Sequence, residues 1–240
     1  MRETILANCE IVPVLVPDTI SESAETVLGV GGSRFLDAAF LTSETGALLL
    51  SDDKRYRDIS ASAVGCNGAW LQVALFEAVR ARHLSFERYA MAIAGLSERA
   101  HAHIALSAPL LYAIACQDGD GFPGLRAALK FLAGPTAEMR SHRAVLHEFL
   151  MRLWSSDAVW RSQALLSHQK TLAVTGLALE AYLANRSQDW RQLLYDIIGR
   201  SSGELSAYLA SWLQGHFVLD ELLAAAKGAD ARKPRKNKAN

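Results

Sequence analysis

The chain has 240 residues, enough for one large domain or two small ones, and half of them are hydrophobic. Its 25 basic and 25 acidic residues cancel, which excludes a strongly charged protein. The three cysteines form no CxxC pair, which argues against a disulfide framework and against a structural zinc site. The sequence shows neither a secretory signal nor a long apolar run, so we expect a soluble, cytoplasmic protein that does not enter a membrane.

The charge is unevenly distributed. Six basic residues and one acidic residue lie in 227–240, which leaves 19 basic and 24 acidic residues in 1–226. We expect a basic disordered tail over 227–240, and such a tail can attract nucleic acid by neutralising phosphates. The alternative is an unstructured end that only aids solubility.

The first part of the chain predicts alternating strands and helices. The apolar run 11–16 predicts a buried strand, Asp18 is expected to cap a helix over 19–28, and a second helix fits 34–43. Gly46 ends that helix and begins a second buried strand over 47–51. Continuous apolar strands joined by helices are typical of a parallel sheet covered on both faces.

Helical patterns dominate after residue 68. We expect helices over 70–82, from Ser85 onwards, and from residue 110, with one short strand at 104–106. The glycine-rich break over 118–124 suggests a domain boundary, and further helices follow over 137–154, 159–185, 190–198 and 204–226. We therefore predict domains at 1–118 and 123–226, followed by the tail. Tryptophans of the second half, such as Trp154 and Trp212, are expected to lie between helices.

Carboxylates collect near the predicted strand ends. Asp52 and Asp53 follow the second strand, and parallel sheets bind ligands beyond the carboxyl ends of their strands. Together with Glu22 and Asp37, these groups could hold a divalent cation that activates water for phosphodiester cleavage. The competing interpretation is structural: Asp52 and Asp53 cap the next helix, and Glu22 lies on a solvated helix face.

Two segments carry a resemblance to a known family. Leu36-Asp37-Ala38-Ala39, followed by Gly46 to Asp53 and then Tyr56-Arg57, resembles the later half of a PIN domain, and Pro17 to Glu22 is similar to an earlier strand-to-helix segment. The resemblance covers roughly residues 11–110 and implies a PIN-like fold with a three-layer parallel sheet there. Together with the all-helical region predicted after it, the expected fold class is helix-rich α/β. It also implies RNA cleavage with Mg²⁺ or Mn²⁺.

Carried over by position, the family's metal-binding acids match Glu22, Asp37 and Asp53, with Asp52 as an alternate for Asp53. These three would also be the catalytic set, while Lys54, Arg55 and Arg57 could contact RNA phosphates. The family's first strand and its aspartate have no match, as in an N-terminally truncated or inactive domain.

Three functions remain open from the sequence. The first is a metal-dependent RNA endonuclease. The second is a catalytically inactive PIN-like scaffold that binds RNA, or a protein partner through its helical region. The third is a structural helical protein whose acidic residues have no shared role, which would require Asp37 and Asp53 to lie far apart.

Overall fold

The computed structural model describes residues 7, 9–10, 12–15, 17–101, 103–133, 139–155, 168–184, 190–201 and 203–215. The predicted tail, the break at 134–136, and parts of the helices predicted over 159–185 and 204–226 lie outside these residues. The chain divides into two compact units, one comprising Met1–Tyr89 with Ala102–Ala105 and the other Ala90–His101 with Leu106–Asn240. The predicted domain limits at 118 and 123 stay predictions.

Helices and one small parallel sheet make up the described part of the first unit. In chain order they are α1 (Glu22–Gly31), α2 (Asp37–Thr45), β1 (Leu49–Leu50), α3 (Lys54–Val64), β2 (Gly68–Ala69), α4 (Leu71–Arg80) and α5 (Phe86–Glu98), whose last turns belong to the second unit. The described part of the second unit continues with α6 (Ala108–Gln117), α7 (Pro123–Leu129), α8 (Met139–Leu153), α9 (His168–Leu183), α10 (Trp190–Arg200) and α11 (203–215).

The strand predicted over 47–51 is confirmed as β1, although β1 covers only Leu49–Leu50. β1 and β2 pair in parallel, with the N–H of Leu49 donating to Asn67 O and that of Ser51 to Ala69 O, both at 2.9 Å. Helix α3 forms the crossover that two parallel strands need. Sequence analysis missed β2, because Gly68 and Ala69 carry no strand-forming side chains.

Two predicted strands are wrong. Residues 12–15 are not extended into a strand; Pro13 lacks a donor N–H, and 67% of the Leu15 side chain is exposed rather than covered by a sheet. Residues 104–106 also form no strand. There the Gln72 side chain, instead of a neighbouring strand, supplies hydrogen bonds to Ala105.

Helix ends follow local chemistry. Ser21, not Asp18, caps α1, because its Oγ accepts from Ala24 N at 3.1 Å. Gly46 ends α2 as predicted, in a left-handed conformation with φ 66° that glycine adopts without strain. The predicted cap Ser85 is confirmed, since its Oγ accepts from Arg88 N at 3.2 Å.

The core of the first unit lies where α1, α2, α3 and β1 meet. It consists of Ala24, Leu36, Ala39, Phe40, Leu49, Ala63 and Cys66. Burial of this apolar surface holds the small sheet against the helices, since two short strands alone are marginally stable in water.

The second unit is helical throughout its described part, as the sequence predicts. Trp212 is buried, and Trp154 is half-buried with its Nε1 donating to Thr175 Oγ1 at 2.9 Å. Gly124 lies so close to α5 that a Cβ there would be 2.8 Å from the Ala94 Cβ. No helix among the described residues is long and apolar enough to cross a membrane.

Candidate functional site at the end of strand β1

Asp53 lies at the junction between β1 and α3. Its Oδ1 accepts a hydrogen bond from the backbone N–H of Tyr56 at 3.1 Å, so Asp53 is the N-cap of α3. A carboxylate at this position satisfies one of the unpaired helical N–H groups and is favoured by the helix dipole. The side chain stays exposed. Asp53 therefore has the helix-capping role that the structural interpretation of the sequence proposes.

Asp52 connects the end of β1 to a helix far along the chain. Its Oδ1 accepts from the backbone N–H of Leu71 at 2.9 Å, across 19 positions of sequence. Leu71 begins α4, so this carboxylate satisfies an N-terminal amide of that helix. Asp52 is half-buried, and its hydrogen bond to Leu71 links the end of β1 to the start of α4.

Asp37 lies within electrostatic range of the Tyr56 side chain. It begins α2, where its Oδ2 is 4.0 Å from the Nε of Arg34, an exposed and therefore weak pairing. Burial raises the pKa of the Tyr56 hydroxyl, and the negative charge of Asp37 contributes to the same rise. Tyr56 thus neighbours Asp37 through its side chain and Asp53 through its backbone N–H.

Glu22 occupies the first position of α1. The residue is exposed, and its carbonyl accepts from the Oγ1 of Thr26 at 2.9 Å within the helix. An acidic residue in the first turn is stabilised by the helix dipole. Glu22 therefore lies on a solvated helix face, as the structural interpretation of the sequence proposes.

A metal centre needs several ligands at one point. Across the described residues, which include Glu22, Asp37, Asp52 and Asp53, no group of three or more His, Cys, Asp or Glu side chains is placed to hold a metal ion. Asp52 and Asp53 each commit Oδ1 to a backbone amide. The structure brings Asp53 and Asp37 to one tyrosine and gives Asp52 a separate role.

The basic residues after β1 divide into three environments. Lys54 Nζ pairs with Asp58 Oδ2 at 2.5 Å on the exposed face of α3. Arg57 donates from Nη1 to the carbonyl of Ser51, and its guanidinium lies 5.5 Å from the centroid of the Trp70 ring. Arg55 is exposed. Arg57 therefore stabilises the strand end through a hydrogen bond and a cation–π contact.

A cavity in the first unit lies away from the end of β1. It has a volume of about 740 Å³ and is bordered by apolar residues such as Ile20, Phe40 and Val64, with Asp18 and Glu44 among its polar residues. None of the seven predicted site residues lines it.

Gln72 is the polar residue in this region that sequence analysis missed. It is buried, and its side chain binds the hydroxyl of Tyr89 at 3.0 Å as well as both backbone groups of Ala105. The sequence shows only a single glutamine on the apolar face of α4, which does not indicate which residues it binds.

Comparison with known proteins adds no relative to these observations. No protein-family model matches the chain, and neither curated proteins nor solved structures give a significant match.

Proposed function

We propose that this chain is a PIN-like scaffold that binds RNA without cleaving it. The observation that carries the proposal is the use made of the acids at the end of β1. Asp52 and Asp53 bind the amides of Leu71 and Tyr56 at 2.9 and 3.1 Å. Carboxylates that satisfy helix amides stabilise a fold. Arg57 contacts the same strand end, through the Ser51 carbonyl and the Trp70 ring.

Two sequence features support RNA as the ligand. The resemblance to PIN domains, carried by the segments around Asp37 and Asp53, suggests an ancestry in RNA chemistry. The six basic residues in 227–240 provide charge that neutralises phosphates, a contribution to affinity that does not depend on sequence. Binding of this kind needs no metal centre.

A metal-dependent RNA endonuclease is the second candidate, and one observation favours it. Asp37 and Asp53 both neighbour Tyr56, so two of the three matched acids lie close to one residue. The cap at Asp53 uses Oδ1, so Oδ2 could bind Mg²⁺ or Mn²⁺. On this hypothesis, Glu22 would be the third ligand, and a metal ion would supply an activated water.

Fluorescence anisotropy with a labelled single-stranded RNA tests the proposal. The full chain is titrated in buffer containing a chelator and again in buffer containing Mn²⁺, and the RNA is then run on a denaturing gel. We expect equal affinity in both buffers and intact RNA in both. Cleavage in Mn²⁺ alone would establish the nuclease instead.

The variant Asp53→Asn separates the two candidates further. Asparagine caps helices about as well as aspartate but carries no charge, so the fold is preserved while a metal ligand is weakened. The scaffold hypothesis expects RNA affinity equal to that of the wild type. A chain that does not bind RNA in either buffer would refute the scaffold hypothesis.

A further inference from the structure

A small pocket in the second unit lies between two helices of the described chain. Its volume is about 180 Å³, and its lining comes from α8 and α10. The lining residues are Arg140, Arg143, Ala144, His147, Asp196, Ile197 and Arg200. None of them is among the residues described at the end of β1.

One ion pair fixes the geometry of this pocket. Arg143 Nη1 donates to Asp196 Oδ2 at 2.8 Å and joins α8 to α10 across 53 positions of sequence. Both side chains are about 30% exposed, so the pair is partly shielded from water. Ile197, which is 1% exposed, anchors the same turn of α10 in the core. The two helices therefore hold the lining residues in defined positions.

The lining carries an excess of positive charge. Three arginines face one aspartate, which leaves two positive charges before His147 is counted. Arg140 and Arg200 are exposed, and within the described chain neither forms an ion pair. A guanidinium presents several N–H donors in a planar fork that matches phosphate oxygens. Arg140 and Arg200 therefore provide uncommitted donors at the rim.

His147 adds a donor at the wall of the pocket. Its Nε2 is buried and has no hydrogen-bond partner in the described structure. Polar atoms in this position are normally hydrogen-bonded, so such an atom calls for an explanation. If a rotation of the imidazole exposes Nε2 to the pocket, an oxyanion there would accept a hydrogen bond from an Nε2–H group.

We propose that the pocket formed by Arg140, Arg143, His147 and Arg200 binds a phosphate group with at most one ester link, that is, inorganic phosphate or a phosphate monoester. A phosphate monoester carries a charge between about −1.5 and −2 near neutral pH, which matches the two excess positive charges of the lining. An internal phosphodiester carries one negative charge and is flanked by two sugars, so it fits a small concave pocket less well. The ligand is either free phosphate or the terminal phosphate of an RNA strand, and the second assignment rests on the proposed function.

Calorimetric titration of inorganic phosphate into the full chain is the first test. We expect one binding site in the wild type, and in the double variant Arg140→Gln, Arg200→Gln an affinity reduced by about ten-fold or more, since each charge-assisted hydrogen bond contributes strongly. Arg99→Gln is the matched control, because Arg99 is exposed just after α5 and donates to the carbonyl of Gly95 in that helix. Equal phosphate affinity in all three proteins, or none in the wild type, would overturn the proposal.

Two RNA probes identify the source of the phosphate. The same oligonucleotide is titrated with a 5′-phosphate and with a 5′-hydroxyl. Tighter binding of the phosphorylated strand, lost in the double variant, supports the site and assigns an RNA end as its ligand. Inorganic phosphate binding without any difference between the strands supports the site and assigns free phosphate. Loss of RNA binding with phosphate binding retained refutes only the proposed function.

Discussion

The side chain of Gln72 holds the backbone of Ala105 through two hydrogen bonds: Oε1 accepts from Ala105 N and Nε2 donates to Ala105 O, both at 2.7 Å. The pair resembles one rung of a sheet ladder in which an amide side chain replaces a strand. It joins α4 to the segment after α5 within the first unit. The buried Gln72 also contacts the hydroxyl of Tyr89 at 3.0 Å.

Replacement of Gln72 by leucine tests this contact. Leucine keeps the volume but leaves the Ala105 amide and carbonyl without their partner, so we expect a loss of about 1–3 kcal/mol in the free energy of unfolding. Urea denaturation measures the change. Gln117→Leu is the control, because Gln117 is exposed at the end of α6. Equal urea midpoints for Gln72→Leu and the wild type would show that the contact contributes nothing.

The cap at Asp53 predicts a contrast between two substitutions. Asp53→Ala removes the acceptor for Tyr56 N and should destabilise the chain by about 1 kcal/mol, whereas Asp53→Asn should retain most of the stability. Thermal denaturation of the two variants beside the wild type measures this difference. If alanine and asparagine destabilise equally, the role of Asp53 lies in its charge and the capping account fails.

Ser21 predicts a second contrast, at the start of α1. Its Oγ accepts from Ala24 N at 3.1 Å and donates to the carbonyl of Ala63 at 2.8 Å, so it ties α1 to the end of α3. Ser21→Ala should cost about 1 kcal/mol of stability. Asp18→Ala, at the exposed position that sequence analysis favoured as the cap, should cost less. A larger loss for Asp18→Ala in urea denaturation would contradict the observed cap.

Tyr112 predicts a change of stability at high pH. Burial raises its pKa to about 12, and the neighbouring Cys116 contributes to the rise. In the unfolded chain the same hydroxyl ionises near about pH 10. Its contribution to stability is complete below that pH and is lost as pH rises towards 12, because only the unfolded state gains from ionisation.

Spectrophotometric titration of tyrosinate checks this prediction. Tyr112→Phe should remove an ionisation near pH 12 and flatten the decline of stability above about pH 10. Tyr195→Phe is the control, since 61% of Tyr195 is exposed. The assignment would be disproved if the ionisation that Tyr112→Phe removes from the wild-type titration lies near about pH 10 instead.

The sequence predicts elements whose determinants are local. Gly46 ends α2 and Ser85 caps α5 because a helix end depends on residues within one turn. The position of β1 is also local, since its apolar run and the preceding glycine adjoin each other. The pairing of β2 is not predictable in this way, because Gly68 and Ala69 become a strand only through β1.

The polar contacts depend on distant partners and could not be predicted. Nothing near Asp52 indicates that its carboxylate binds Leu71, and nothing near Gln72 indicates Ala105. The pocket between α8 and α10 combines a local signal with a contact that only the fold creates. Arg140 and Arg143 are three positions apart on one helix, a visible signal, whereas Asp196 joins them only through the fold.

Calorimetric titration of Mn²⁺ into the wild type and Asp53→Asn, with RNA cleavage scored on the same samples, tests most directly whether the acids at the end of β1 are structural. The scaffold account predicts the same heats for both proteins, with RNA bound and uncleaved. Mn²⁺ binding and RNA cleavage by the wild type that both disappear in Asp53→Asn would contradict it and establish a metal-dependent nuclease.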